Sequence, residues 1–172
     1  MREASDMDTV STSALAPDPA SLRRVCGRFA TGVAIIGART KQNQAVGLTV
    51  NSFGSVSLEP PLIVWDLARR SPNAGLFTVG APFGVSILRA GHDDLARRFA
   101  QPLPDKFAGV AHWRCPAGVP YLQEALATLA CAVVQAEPVG DHLLIVGSVR
   151  EIAASEGDPL VFYGGAFARL AA

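Results

Sequence analysis

Three short segments of this 172-residue chain have side chains and backbone suited to chemistry. The first is Gly47-Leu48-Thr49-Val50-Asn51-Ser52-Phe53-Gly54-Ser55-Val56-Ser57, an apolar run that passes into small hydroxyl and amide residues. Small side chains let a flat ligand approach the backbone, and free amides there bond ring carbonyls. Thr49, Asn51, Ser52, Ser55 and Ser57 add neutral donors. Taken alone, the same composition is that of an ordinary loop. The second segment is Arg69-Arg70-Ser71-Pro72. Serine before proline opens a helix, and two guanidinium groups beside exposed amides suit a phosphate. A capped helix with solvated arginines reads the same way. The third is Gly140-Asp141-His142, a turn signal with an imidazole just after it.

The familiar catalytic vocabularies are missing. No Gly-x-Gly-x-x-Gly opens a dinucleotide site, and no Lys-Ser/Thr follows Gly32 to complete a phosphate loop. No Gly-x-Ser-x-Gly elbow occurs. His92, His112 and His142 lie far apart, and Cys26, Cys115 and Cys131 contain no Cys-x-x-Cys pair. No zinc site is expected, and the cysteines read as buried apolar side chains in a reducing compartment. Basic and acidic residues both number 15, for a net charge of zero. That excludes binding by phosphate neutralisation, so no nucleic acid partner is expected. With so little reactive side-chain chemistry, an organic cofactor is the natural carrier of any reaction.

The length fits one domain on a prior of roughly 150 residues per domain. Charged residues make up 17% and apolar residues 49%, enough apolar side chains for a sizeable core. The scarcity of charge leaves apolar surface over, which points to a subunit interface. Residues 1–17 read as a flexible arm, without the basic and apolar regions of a signal peptide, and 18–172 as the domain. No stretch is long and apolar enough for a membrane helix, so a cytoplasmic protein is expected.

Asp18-Pro19 starts a helix whose apolar stripe is Leu22, Val25, Cys26 and Phe29, with Gly32 as its end. That helix reads as a structural cover. Strands are expected at 33–40 and 45–50 as a hairpin, at 62–67 and at 83–88. Further strands are expected at 128–137 and 143–152, joined across residues 138–141, and at 160–163. Ser71-Pro72 opens a short helix to about Val79, and 93–100 form another. Strands without regular helix alternation argue for a closed antiparallel sheet with a few peripheral short helices.

These segments occur together in an order that resembles the short-chain flavin reductases, a flavin reductase-like, FMN-binding split-barrel family. The matching pieces are 29–33, 47–53, 55–62, Arg70-Ser71, Phe99-Ala100, Asp105-Lys106-Phe107, Gly140-Asp141-His142 and 159–165. The resemblance implies a mainly β split barrel acting as a homodimer. It also implies that the chain supplies reduced flavin to a separate flavin-dependent monooxygenase. Gly47, Leu48, Thr49 and Val50 are then expected along the isoalloxazine, with Asn51, Ser52 and Ser55 near its pyrimidine edge or ribityl chain. Trp65, Leu67, Arg70 and Ser71 match the ribityl and phosphate stretch, and Phe99 and Lys106 close over the flavin. His142 is implied on the nicotinamide side, with Asp141 fixing its turn. Tyr163, Gly164, Gly165 and Phe167 match the second stretch that meets the pyridine nucleotide, where related proteins often carry tyrosine in place of Phe167.

The implied cofactors are FMN or FAD with NADH, and NADPH stays open because Arg39, Arg69 or Arg97 could meet a 2′-phosphate. Besides a purely structural barrel that binds no flavin, two other readings stay open. One is an oxidase on the same barrel with tightly held FMN. The other is a non-enzymatic flavin-binding dimer.

Overall fold

The computed structural model describes residues 17–170. Sixteen of the seventeen residues read as a flexible arm lie outside the described residues. The strands are β1 (Thr31–Gly32), β2 (Ala34–Arg39), β3 (Ala45–Val50), β4 (Gly54–Leu58), β5 (Pro61–Ala68) and β6 (Pro82–Ile87). They continue as β7 (His112–Arg114), β8 (Pro120–Leu122), β9 (Ala127–Val139), β10 (His142–Ala154), β11 (Val161–Tyr163) and β12 (Ala166–Ala168). The helices are α1 (Pro19–Cys26) and α2 (Asp93–Ala100). Seven strands form one antiparallel sheet in the order β3-β2-β6-β9-β10-β5-β4. A three-stranded sheet, β1-β11-β12, and the pair β7-β8 flank it.

The ends of that order settle the shape. β3 and β4 lie at opposite edges of the sheet, yet only residues 51–53 connect them. Four residue steps reach at most about 14 Å. Seven flat strands at about 4.8 Å spacing would span about 29 Å. The sheet must therefore curl until its edges approach. The expected closed sheet is corrected here: β3 and β4 are not hydrogen-bonded, so the barrel is split along that seam.

The barrel interior follows the period of two. Ala34, Ile36 and Ala38 of β2 face it, with Ile63, Trp65 and Leu67 of β5 and Phe83 and Val85 of β6. Trp65, Phe77 and Phe83 meet edge to face or tilted, with centroids 4.8, 5.9 and 6.3 Å apart. Each such ring contributes roughly 1.5–3 kcal/mol by leaving water. The alternate residues Val33 and Ile35 face outward into a second cluster, under α2, with Leu88, Ala96, Phe99 and Phe107. β2 is thus buried on both faces, which is why it reads as an unbroken apolar run.

The helices differ from expectation except α2, whose bounds match. α1 is capped by the Asp18 carboxylate, which accepts from the Ala20 and Ser21 amides at 3.0 Å. It ends at Cys26, not near Gly32, because Thr31 and Gly32 pair with β11 instead. None of its residues is buried, and Leu22, Val25 and Phe29 are 51, 66 and 77% exposed, so it does not cover the core. Cys26 is exposed, whereas Cys115 and Cys131 are buried free thiols as expected. The helix expected after Ser71 is only a three-residue 3-10 turn, Ala74–Leu76. The Ser71 hydroxyl accepts from the Asn73 amide at 3.3 Å. The hydroxyl-rich run contains a strand, β4, which the composition had suggested was loop.

Gly37 and Gly84 face each other in register, and the Pro120 backbone and the Tyr121 ring cross their bare face. A Cβ on Gly37 would lie 2.2 Å from the Pro120 carbonyl oxygen. Gly37→Ala is expected to cost at least about 1–3 kcal/mol, because backbone, not a flexible side chain, must move. Urea unfolding checks this, and an unchanged midpoint would contradict it.

Candidate functional site: a groove along the barrel seam

A groove of about 300 Å³ runs along the split. Four separate parts of the chain line it: Leu48–Ser52, Asp66–Ala68, Phe99, Ala100 and Lys106, and His142. A second hollow of similar volume shares Thr49, Val50, Asn51 and Ala100 with it. Val33, Ala96, Arg97, Phe162, Gly165, Ala166 and Phe167 complete that hollow.

β3 is the edge strand of this seam. Leu88 N–H donates to the Val33 carbonyl, so β2 points Val33, Ile35 and Gly37 toward β6 and its alternate residues toward β3. Leu48 and Val50 are opposite those alternates and bond back to β2. The N–H and C=O groups of Gly47 and Thr49 therefore point away from the sheet. Edge groups of this kind need another partner. Gly47 already has one, since the Lys106 ammonium donates to its carbonyl at 3.1 Å.

α2 packs its C-terminal turn on this edge. Thr49 Oγ1 donates to the Ala96 carbonyl at 2.7 Å, which ties β3 to the helix and commits the expected donor. The Phe99 ring fills the space beside Gly47, where a Cβ would lie 2.3 Å from two ring atoms. Gly47 is buried under that ring and does not line the groove, contrary to the expectation of close ligand approach. Lys106 Nζ also donates to the Phe99 carbonyl at 2.7 Å. Burial lowers the pKa of this ammonium below the ordinary lysine value. A lysine has three N–H donors, so one is left for a ligand.

On the opposite wall, register places His142 beside Ala68, with Asp66 as a diagonal neighbour. His142 Nδ1 and the Asp141 carboxylate are 2.7 Å apart, and Nε2 lies 4.0 Å from Asp66 Oδ1. The carboxylate accepts, so Nδ1 bears hydrogen, and Nε2 is the ring nitrogen on the Asp66 side of the groove. This hydrogen bond holds the Asp141 carboxyl below the usual carboxylate range. The Asp141 amide carbonyl accepts from Arg69 N–H at 2.9 Å, and Arg69 Nη1 donates to the Gly140 carbonyl at 3.3 Å. The seam itself is stitched by Ser52, whose hydroxyl oxygen accepts from Asp66 N–H at 3.1 Å.

The groove thus gathers Leu48, Thr49, Val50, Asn51, Ser52, Leu67, Phe99, Lys106 and His142 from the expected set. Phe167 and Gly165 line the adjoining hollow, where the Phe162 and Phe167 rings lie 5.6 Å apart and the Arg97 guanidinium sits 5.0 Å above Phe167. Several residues fall elsewhere. Trp65 is fully buried in the barrel, because alternation along β5 turns it inward. Ser55 lines a different depression, with Leu58 and Ile152. Arg70 is exposed and Ser71 half-buried beyond the groove, without a helix N-terminus between them. Asp141 is exposed behind His142, and Tyr163 and Gly164 lie outside both hollows. Arg39 is tied to the Gly118 and Asn43 carbonyls and Arg69 to Gly140, which leaves Arg97 as the arginine at the hollow. Asp66, Ala68 and Ala100 line the groove but were not among the expected site residues. A lone carboxylate inside the apolar strand at 62–67 is the signal that could have found Asp66. Among the described residues, no cluster of His, Cys, Asp and Glu could hold a metal ion.

Residues 26–171 match the family described as flavin reductase like domain. The chain belongs to that family. It is 39% identical over 150 residues to an FMN reductase (NADH), SmoA, of Agrobacterium fabrum, covering 87% of this chain and 84% of the relative. It is 34% identical over 152 residues to the flavin-dependent monooxygenase reductase subunit HsaB of Mycobacterium tuberculosis, covering 86% and 80%. The fold superposes on a solved structure of the NADH:FAD oxidoreductase SgcE6 of Streptomyces globisporus in complex with NAD and FAD fragments. That TM-score is 0.83 at 34% identity, covering 92% of this chain and 98% of the other.

The burial of Trp65 separates it from ligand binding. Trp65→Phe is expected to lower stability by about 1–2 kcal/mol through lost core volume. Flavin affinity, read by fluorescence titration, should change less than about twofold because affinity follows the groove contacts. A loss of flavin affinity at unchanged stability would return Trp65 to the site.

Proposed function

We propose that this chain is an NADH-dependent flavin reductase that passes hydride to FMN or FAD and releases reduced flavin to a separate flavin-dependent monooxygenase. The observation that supports it most directly is the convergence of four chain segments on the free edge of β3. A flavin ring has a flat apolar body and a polar pyrimidine edge. Leu48, Val50, Leu67 and Phe99 suit the body. The outward Thr49 N–H, the Asn51 amide, the Ser52 hydroxyl and the third N–H of Lys106 suit the edge. The flavin supplies the hydride acceptor.

The protein's part is positional. Two rings must be held in contact, which a rigid groove achieves without an acid–base pair. His142 offers Nε2 to the nicotinamide end, held in orientation by Asp141. The adjoining hollow with Phe162, Phe167 and Gly165 suits the remainder of the pyridine nucleotide. Arg70, Ser71, Tyr163 and Gly164 stay in the proposal as rim residues, reached by the ribityl phosphate or the nucleotide tail.

The proposal includes a homodimer in the cytoplasm. Leu58 and Ile152, which are 90 and 76% exposed, line an apolar depression with Leu62, Ile63 and Leu129 of β5 and β9. Exposure of this kind marks an interface. Among the described residues, no helix is long and apolar enough to cross a membrane. Sedimentation should give a dimer, and Leu58→Asp with Ile152→Asp should give monomers. A monomeric native chain would refute the dimer.

NADH consumption should be fast only with added FMN or FAD. His142→Ala should raise the NADH KM by roughly fivefold to tenfold, while the flavin KM changes less than about twofold. No turnover with NADH or NADPH and either flavin would sink the reductase reading. A protein that stays yellow on purification and ignores NADH would instead support the oxidase.

A further inference from the structure

Lys106 is the cation of the groove, yet residues 101–110, which carry it, form neither helix nor strand. Such a segment has no ladder of its own to fix it. Two neighbouring residues of α2 do so. Arg98 Nε donates to the Lys106 carbonyl at 2.7 Å, and Nη2 donates to the Ala108 carbonyl at 2.5 Å. A planar guanidinium holds two acceptors in fixed relation, which an ammonium cannot. Asp105 Oδ1 then accepts from the Phe107 and Ala108 amides at 3.0 and 3.1 Å. Phe107 is 5% exposed and meets Phe99 edge to face at 4.8 Å. Meanwhile the Phe99 carbonyl takes the Lys106 ammonium. Among the described residues the ion pairs all involve histidine, so the Arg98 charge has no carboxylate partner and is directed at loop carbonyls.

We infer that Arg98 is a positioning residue: it sets the backbone of Lys106 so that the ammonium stands in the groove with one N–H free for flavin. The inference rests on the flavin placement proposed above. It separates Arg98 from Arg97, its neighbour, which faces the adjoining hollow.

A double-mutant cycle tests it, with Arg98→Met, Lys106→Met and the pair, read as flavin KM and kcat. Arg98→Met should raise the flavin KM about tenfold with kcat at saturating flavin within about twofold. If Arg98 acts through Lys106, Arg98→Met should add less than about twofold in the Lys106→Met background. Fully additive effects would overturn the inference. The second readout needs no flavin: trypsin should cut after Lys106 about tenfold faster in Arg98→Met than in the native chain, because the segment opens locally. Cleavage at the native rate would overturn the inference whatever the kinetics. Faster cleavage with an unchanged flavin KM in Lys106→Met would uphold the Arg98 anchor and refute the flavin placement instead. Arg98→Gln, which keeps a single donor group, serves the same comparison if Arg98→Met fails to fold.

Discussion

The architecture depends on a short tether. Residues 51–53 join strands that lie at opposite edges of a seven-stranded sheet. A flat sheet would hold those edges about twice as far apart as the tether reaches, so the chain can satisfy both only by curling. The seam that results is not zipped by backbone hydrogen bonds. One edge of β3 is left with outward amides and carbonyls, which a soluble fold must otherwise cover. Here Lys106 takes the Gly47 carbonyl and α2 takes the Thr49 hydroxyl, while Thr49 itself lines a groove.

The groove is preorganised by packing more than by charge. Phe99 enters the space that Gly47 leaves bare, and Phe107 locks against Phe99. These contacts fix the end of α2 on β3 and, with it, the segment that bears Lys106. Ser52 ties the tether to β5, and the paired register of β5 with β10 brings His142 to the opposite wall. Hydride transfer between two flat rings demands contact distance and orientation, and a rigid, partly apolar slot supplies both.

Much of this was legible in the sequence. The hairpin of β2 and β3, the α2 bounds and the long β9–β10 hairpin follow from period and turn chemistry. The run from Leu48 to Ser52 and His142 stood out by residue type, their roles and Phe99 and Lys106 came from the family resemblance, and the structure brings them together. What failed has physical reasons. Trp65 sits on a strand whose alternation alone does not say which face is the barrel interior. Gly47 looked like ligand space, but a ring 52 residues further along the chain fills it. Ser71-Pro72 carried a start signal without enough helix-forming sequence behind it. The apolar stripe of α1 signalled a buried face, whereas within this chain it meets no core. Long-range packing decided each case.

The central claim is that flavin binds along the free edge of β3. Amide hydrogen exchange with and without flavin tests it most directly. Protection confined to residues 48–52 and to the segments around Phe99 and Lys106, with β4 and residues 150–152 unchanged, is the predicted result. Protection centred on β4, Leu58 and Ile152, or none along the seam, would contradict the account.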